Sequence, residues 1–258
     1  MKKLLLLLPV LMLVFVGCPK KQTVANPSNA DIVVAADGSG DYEEITEALD
    51  AADDGDVIYV GPGTYEEEVE VEKDDITLLG AGPGKTIIDA GGEYAALTLA
   101  GDDCTVEGFS LTGGESHGLY VKDGHHDISR CLIYGNDDRG IYLSNMFGTG
   151  TAVIEYCTIV DNDVSGIYSI DDPEETEIRF CIIARNERGI VSDEDKGGMT
   201  IDYNVLDNQD ENFDDVPEGE GNVESAPKFV DPEDGNYKLK KSSPAIDIDG
   251  EGHTAGCF

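Results

Sequence analysis

Five short segments between Val106 and Leu206 follow one pattern: VEGFSL (106–111), ISRCLI (128–133), IEYCTI (154–159), IRFCII (178–183) and IDYNVL (201–206). Each opens on an aliphatic residue. Three places on stands Phe109, Cys131, Cys157, Cys181 or Asn204, and two further on another aliphatic residue. An asparagine follows in three of them (Asn136, Asn162, Asn186). Four return with glycine plus an aliphatic residue: Gly118-Leu119, Gly140-Ile141, Gly166-Ile167 and Gly189-Ile190. The starting positions lie 22, 26, 24 and 23 residues apart. A repeat of this length means a solenoid, a propeller or an array, because one unit cannot bury its apolar face alone.

The unit selects among these. Each holds two or three short runs with period-two alternation, separated by Gly, Asn and Asp, and leaves no room for a helix. Leucine-rich, ankyrin and tetratricopeptide repeats are thereby excluded. Three short strands per unit make one coil of an all-β, right-handed parallel β-helix, a single-stranded solenoid whose equivalent residues stack roughly 4.8 Å apart. About seven coils are expected over 57–210. Before them, residues 31–36 read as a strand. Tyr42, Ile45, Ala48, Leu49 and Ala52 then recur at helical spacing, so 41–52 is expected to form an amphipathic capping α-helix within a unit spanning 31–56. Residues 211–258 read as a C-terminal loop and cap.

Residues 1–17 stand apart. Lys2 and Lys3 precede an apolar run from Leu4 to Val16, the layout of a secretory signal. The run is too short to span a bilayer comfortably. The ending Val16-Gly17-Cys18 resembles a bacterial lipobox, with Phe15 where leucine is usual. The resemblance implies cleavage before Cys18, lipidation of that cysteine, and a location in the bacterial cell envelope. Residues 18–30 are polar, with two prolines, and read as a flexible tether.

Charge narrows the partners. The chain carries 54 acidic and 17 basic residues, a net of −37. Such a chain repels nucleic acid and anionic lipid, so contact with a membrane is expected through the anchor only. A monomer is expected. The carboxylates are a hydrated coat suited to high salt, or some of them are cation ligands. Cys131, Cys157 and Cys181 share one inward position, so a buried thiol column is expected, free of disulfides because in-register stacking disfavours their geometry. Cys104 and Cys257 have no assignable partner.

Several stretches carry family resemblance. The opening DGSGDY, the helix behind it, PGTY (62–65) and ITLLG (76–80) resemble the N-terminal part of pectin methylesterases. The later coils resemble the repeat of pectate-lyase-like proteins. FVDP, YKL and SPAID (229–247) are similar to a tail that often follows such repeats in secreted bacterial proteins. The resemblance implies a β-helix and carbohydrate as the partner. It does not carry methylesterase chemistry across: the QD-containing and DFIFG-like segments of that family are absent. No glutamine stands between Gln22 and Gln209.

The repeat supplies candidate sites. Tyr120, Tyr142 and Tyr168 follow the glycine–aliphatic pair at an outward position and are expected to stack as a ladder, either as a sugar-stacking surface or as a device that stabilises the sheet by about 0.2–1 kcal/mol per pair. One place after the asparagine position come Asp137, Asp163 and Glu187, with Glu115 and Asp210 equivalent in the flanking coils. These are solvated loop acids or ligands for Ca²⁺. Before the glycines stand His117, Arg139, Ser165 and Arg188. Arg139 and Arg188 are candidate bases for lyase chemistry or, equally, salt-bridge partners of the acids. His125-His126 lies on a turn without a spaced third ligand. The segment from Gly80 to Thr86 lacks the helix a phosphate loop requires. Three functions fit: a surface protein binding polysaccharide or cell-surface glycan, a Ca²⁺-dependent polysaccharide lyase, or a structural or adhesive solenoid.

Overall fold

The period-two runs do form strands, and the breaks between them turn the chain by a fixed amount in every coil. A computed structural model describes residues 29–144, 150–170, 176–193 and 198–258. The leader (1–17), Cys18 and nearly all of the tether fall outside these residues. Three parallel sheets result. Sheet A has eight strands from Ile32–Val34 to Thr200–Asp202, and sheet B eight from Gly63–Glu66 to Val223–Glu224. Sheet C has seven, from Val69–Val71 to Glu211–Asp214. The chain visits A, B and C in turn, and each strand pairs with the one a coil earlier, as in Ile128↔Val106 and Ile133↔Leu111. This is a parallel β-helix.

The solenoid is longer than the expected span of 57–210. Ile32–Val34 pairs with Val57–Val60 and so belongs to the first coil. At the other end, Glu211–Asp214 continues sheet C, with Phe213 opposite Ile190, and Val223–Glu224 continues sheet B. Glu211, Asn212 and Asp214 disguise that strand as loop, but its single aromatic residue packs against the core. The capping helix is shorter than expected, Ile45–Ala51. Asp41 and Tyr42 are drawn off by the first strand: Asp41 accepts the Val33 N–H and Tyr42 bridges to Val34.

Ile45, Ala48 and Leu49 of the helix enter the core. The Glu67 carboxylate, supplied by the next turn of chain, accepts the Ile45 and Thr46 N–H groups at 2.8 and 3.0 Å and the Thr46 hydroxyl at 2.8 Å. It thus does what an N-cap side chain does, satisfying donors that a helix start leaves free. Glu67→Gln keeps one acceptor oxygen and loses the other with the charge. It is expected to lower stability by about 1 kcal/mol, read by chemical denaturation.

Inside the coils the expected columns are present. Val106, Ile128, Ile154, Ile178 and Ile201 stack in sheet A, and Phe109, Cys131, Cys157 and Cys181 line the next corner, all buried. The cysteines are free thiols. Each donates to the carbonyl two residues back, as Cys131 does to Ser129 at 3.3 Å. Asn204 continues this column and takes the Cys181 N–H at 2.8 Å. The residue before each column member sits in the left-handed region: Gly108, Arg130, Tyr156, Phe180 and Tyr203 have φ between 51° and 82°. That kink carries the chain from sheet A to sheet B.

A second column, buried at Asn136, Asn162 and Asn186, follows sheet B. Asn136, Asn162, Asn186 and Asn208 form a ladder in which each side-chain amide donates to the oxygen of the next, at 2.8, 3.1 and 2.9 Å. The same oxygen accepts the previous asparagine's backbone N–H, as Asn186 Oδ1 does from Asn162 at 3.0 Å. This ladder explains the repeated glycine. A Cβ on Gly140 would lie 2.5 Å from Ile159 Cγ2 and 2.9 Å from Asn162 Nδ2. Sheet B is apolar outside as well as inside. Leu132, Val160, Ile182, Ala184 and Val205 are covered by Phe229, Tyr237, Ala245 and Ala255 of the C-terminal tail.

Candidate functional site

Sheet C keeps its outer face free of the tail, and two columns of side chains run along it. One column is Glu70, Thr98, Tyr120, Tyr142, Tyr168, Val191 and Asp214. Beside it run His117, Arg139, Ser165 and Arg188. Alternation with the inward Leu119, Ile141 and Ile167 places Tyr120, Tyr142 and Tyr168 on the outer side, as expected.

The tyrosine ladder forms. Tyr120 and Tyr142 are stacked, with centroids 5.2 Å apart and planes 17° from parallel, while Tyr142 and Tyr168 are tilted at 45° and 5.8 Å. Two further rings join it that the repeat did not reveal as members. Tyr94 meets Tyr120 edge-on at 5.9 Å, and His117 lies 4.7 Å from Tyr142 and 5.1 Å from Tyr94. Tyr94 is 47% exposed. It stands one residue before its strand, in a coil lacking the glycine–aliphatic–tyrosine word, so alternation does not select it. Its distance from His117, one repeat length, is the only trace in the sequence.

Ring geometry decides what the face offers. Tyr120 and Tyr142 turn their faces to each other, and Arg139 lies 4.2 Å over the Tyr168 ring. The inner rings therefore present edges and hydroxyls rather than open faces. Tyr94, at the end of the ladder, is the most exposed ring.

The polar row is buried at His117 and Ser165 and partly exposed at Arg139 and Arg188. His117 is 2% exposed and Ser165 is fully buried. Tyr94 Oη lies 3.2 Å from His117 Nε2. Burial first, and Arg139 second, hold the His117 imidazole well below its usual range, at about 4. Among the described residues, four buried side-chain atoms lack a hydrogen-bond partner, and three lie on this row in successive coils: His117 Nδ1, Arg139 Nε and Ser165 Oγ. A buried polar atom left unpaired costs about 1–3 kcal/mol, so three on one line call for a physical reason.

The arginines are salt-bridged, but not to the acidic column. Arg139 pairs with its neighbour Asp138, and Arg188 pairs with Asp214 at 2.8 Å. Tyr168 donates its hydroxyl to Asp193; burial and that carboxylate push the phenol up to about 12. The column of Glu115, Asp137, Asp163, Glu187 and Asp210 lies exposed on the loops beside the asparagine ladder. Among the described residues the one group of three acid or imidazole ligand atoms within 4.8 Å is elsewhere, at Asp249, Glu251 and His253 in the tail. His126 is structural: Nδ1 takes the Cys104 N–H at 3.2 Å and Nε2 meets the Asp123 carbonyl at 2.6 Å.

Comparison with known proteins agrees with this architecture. A family model described as a right-handed β-helix region matches residues 84–224, more than half of the chain. The chain belongs to the right-handed β-helix family. A pectinesterase model matches residues 31–107. The probable pectinesterase/pectinesterase inhibitor 17 of Arabidopsis thaliana is 32% identical over 165 residues, which cover 49% of this β-helix chain and 31% of the relative. The chain spans about a third of the length of the curated relatives it matches. Among solved structures, a pectin methylesterase in complex with a hexasaccharide aligns with a TM-score of 0.53 at 14% identity, over 70% of this chain and 66% of that one. A pectate lyase aligns with a TM-score of 0.50 at 14% identity, over 84% of this chain and 91% of that one. At these identities the likeness is one of fold.

Proposed function

We propose that this β-helix protein is a glycan-binding surface protein and that the outer face of sheet C, from Tyr94 to Tyr168, is where the glycan lies. The observation that carries this reading is the ladder of four half-buried or exposed tyrosines, Tyr94, Tyr120, Tyr142 and Tyr168, on one sheet face. The tyrosines add apolar edges and phenol groups at low entropic cost. Support also comes from the polysaccharide chemistry in the names of the relatives. The leader and Val16-Gly17-Cys18 favour a lipid-anchored protein of the bacterial cell envelope. Loss of metabolic lipid labelling in Cys18→Ser tests that part.

Alanine at Tyr94, Tyr120 or Tyr142 is expected to weaken binding by about tenfold each, the effect of truncating one buried aromatic contact. Affinity electrophoresis through gels of soluble polysaccharides reads this directly, with melting temperature as the control for folding. If the triple variant folds and migrates as the parent does through every glycan that retards the parent, the face is structural.

A further inference from the structure

Resting on that reading, we infer that the glycan taken by the Tyr94–Tyr168 face is uncharged and that acidic sugars are excluded from it. A site for a polyuronate needs positive groups whose charge is available to the sugar carboxylates, commonly arginine in a two-pronged pair. Among the described residues this face has three cations, and each already has a carboxylate: Arg139 with Asp138, Arg188 with Asp214 at 2.8 Å, and Lys122 with Glu70 at 3.1 Å. Arg139 is further engaged, lying over the rings of Tyr142 and Tyr168. Asp193, bonded to the Tyr168 hydroxyl, adds a further acid.

The sum is a negative surface on a chain of net charge −37. Charges within about 10 Å of one another act at 0.1 M salt, so an incoming carboxylate meets repulsion at this face and from the surrounding chain. What the face itself exposes is neutral in type: the tyrosines offer hydroxyls and ring edges. The His117 imidazole adds no cation near neutral pH, since burial keeps it in its uncharged form.

The test uses the full chain purified in detergent. It titrates two sets of probes by calorimetry at low salt and at 0.5 M salt. The first set is cellohexaose, xylohexaose and mannohexaose. The second is hexagalacturonate beside its fully methyl-esterified form, which holds the backbone constant and removes the charge. A neutral probe is expected to bind in a tyrosine-dependent way. The free acid is expected to bind at least tenfold more weakly than its ester at low salt, and the gap is expected to narrow at high salt. Asp138→Asn together with Asp214→Asn, which releases both arginines, is expected to raise affinity for the free acid several-fold. Tighter or equal binding of the free acid at low salt overturns the inference while leaving the glycan-binding reading in place if the tyrosine variants still lose affinity. A deficit that salt does not change also overturns it. Failure of every probe to bind overturns both.

Discussion

Asn162→Ala is expected to cost the fold about 4 kcal/mol. Asn162 is 1% exposed and uses its whole amide. Its oxygen accepts the Asn136 side-chain amide at 2.8 Å and the Asn136 backbone N–H at 3.3 Å. Its nitrogen donates to Asn186 Oδ1 at 3.1 Å and to the Val160 and Ile133 carbonyls at 3.3 and 3.4 Å. Alanine strands two donors of Asn136 in a site without water access, at about 1–3 kcal/mol each, and leaves a cavity besides. Leucine fills the volume and rescues none of this. The loss should therefore be nearly as large in Asn162→Leu, which separates hydrogen bonding from packing. Urea denaturation decides it: a loss below about 1 kcal/mol for both variants would show that the ladder is ornamental. Because each rung joins two coils, the melt is also expected to lose cooperativity there, as happens when nearest-neighbour coupling is cut in a repeat array.

The coil repeat was legible because its columns obey simple alternation. Ile133, Ile159 and Ile183 could be placed inward, and with them the cysteines and the outward tyrosines, from spacing alone. What alternation cannot reach is the turn. The asparagines stood out as repeat markers at Asn136, Asn162 and Asn186, but Asn208 follows its aliphatic residue by two places instead of three, and so escaped. Spacing left Arg139 and Arg188 open between bases and salt-bridge partners of the acids after the asparagines, and they pair with Asp138 and Asp214 instead. An arginine reaches several carboxylates in so acidic a chain, and only backbone direction chooses among them. Tyr94 was missed for the same reason: it sits at a corner, where the period of two has already ended. The tail covering sheet B was recognisable as a tail, but its docking on Leu132, Val160 and Ile182 depends on contacts between distant parts of the chain that no local pattern encodes.

Acid is expected to weaken this protein through His117 by on the order of 3 kcal/mol, even as it relieves the repulsion among its carboxylates. The imidazole is held at about 4 in the fold, against an ordinary value of 6.5, mainly because burial disfavours its charged form and secondarily because Arg139 stands beside it. In the unfolded chain it takes a proton as pH falls through 6.5; in the folded protein it does not until about 4. The unfolded state therefore binds more protons across that window. Stability from this group is complete above pH 6.5, declines as pH drops, and levels off below 4, each unit of difference being worth about 1.4 kcal/mol. His126, also depressed chiefly by burial, acts in the same direction. The many carboxylates act in the opposite direction where they repel one another, so a single pH profile mixes the two. His117→Phe separates them, since phenylalanine keeps a ring against Tyr142 and cannot titrate. The wild type is expected to lose about 3 kcal/mol relative to this variant between pH 7.5 and pH 4, measured by urea denaturation at fixed ionic strength. Parallel profiles would mean that His117 is solvated or already paired. The unpartnered row beside the tyrosines would then lose its first member.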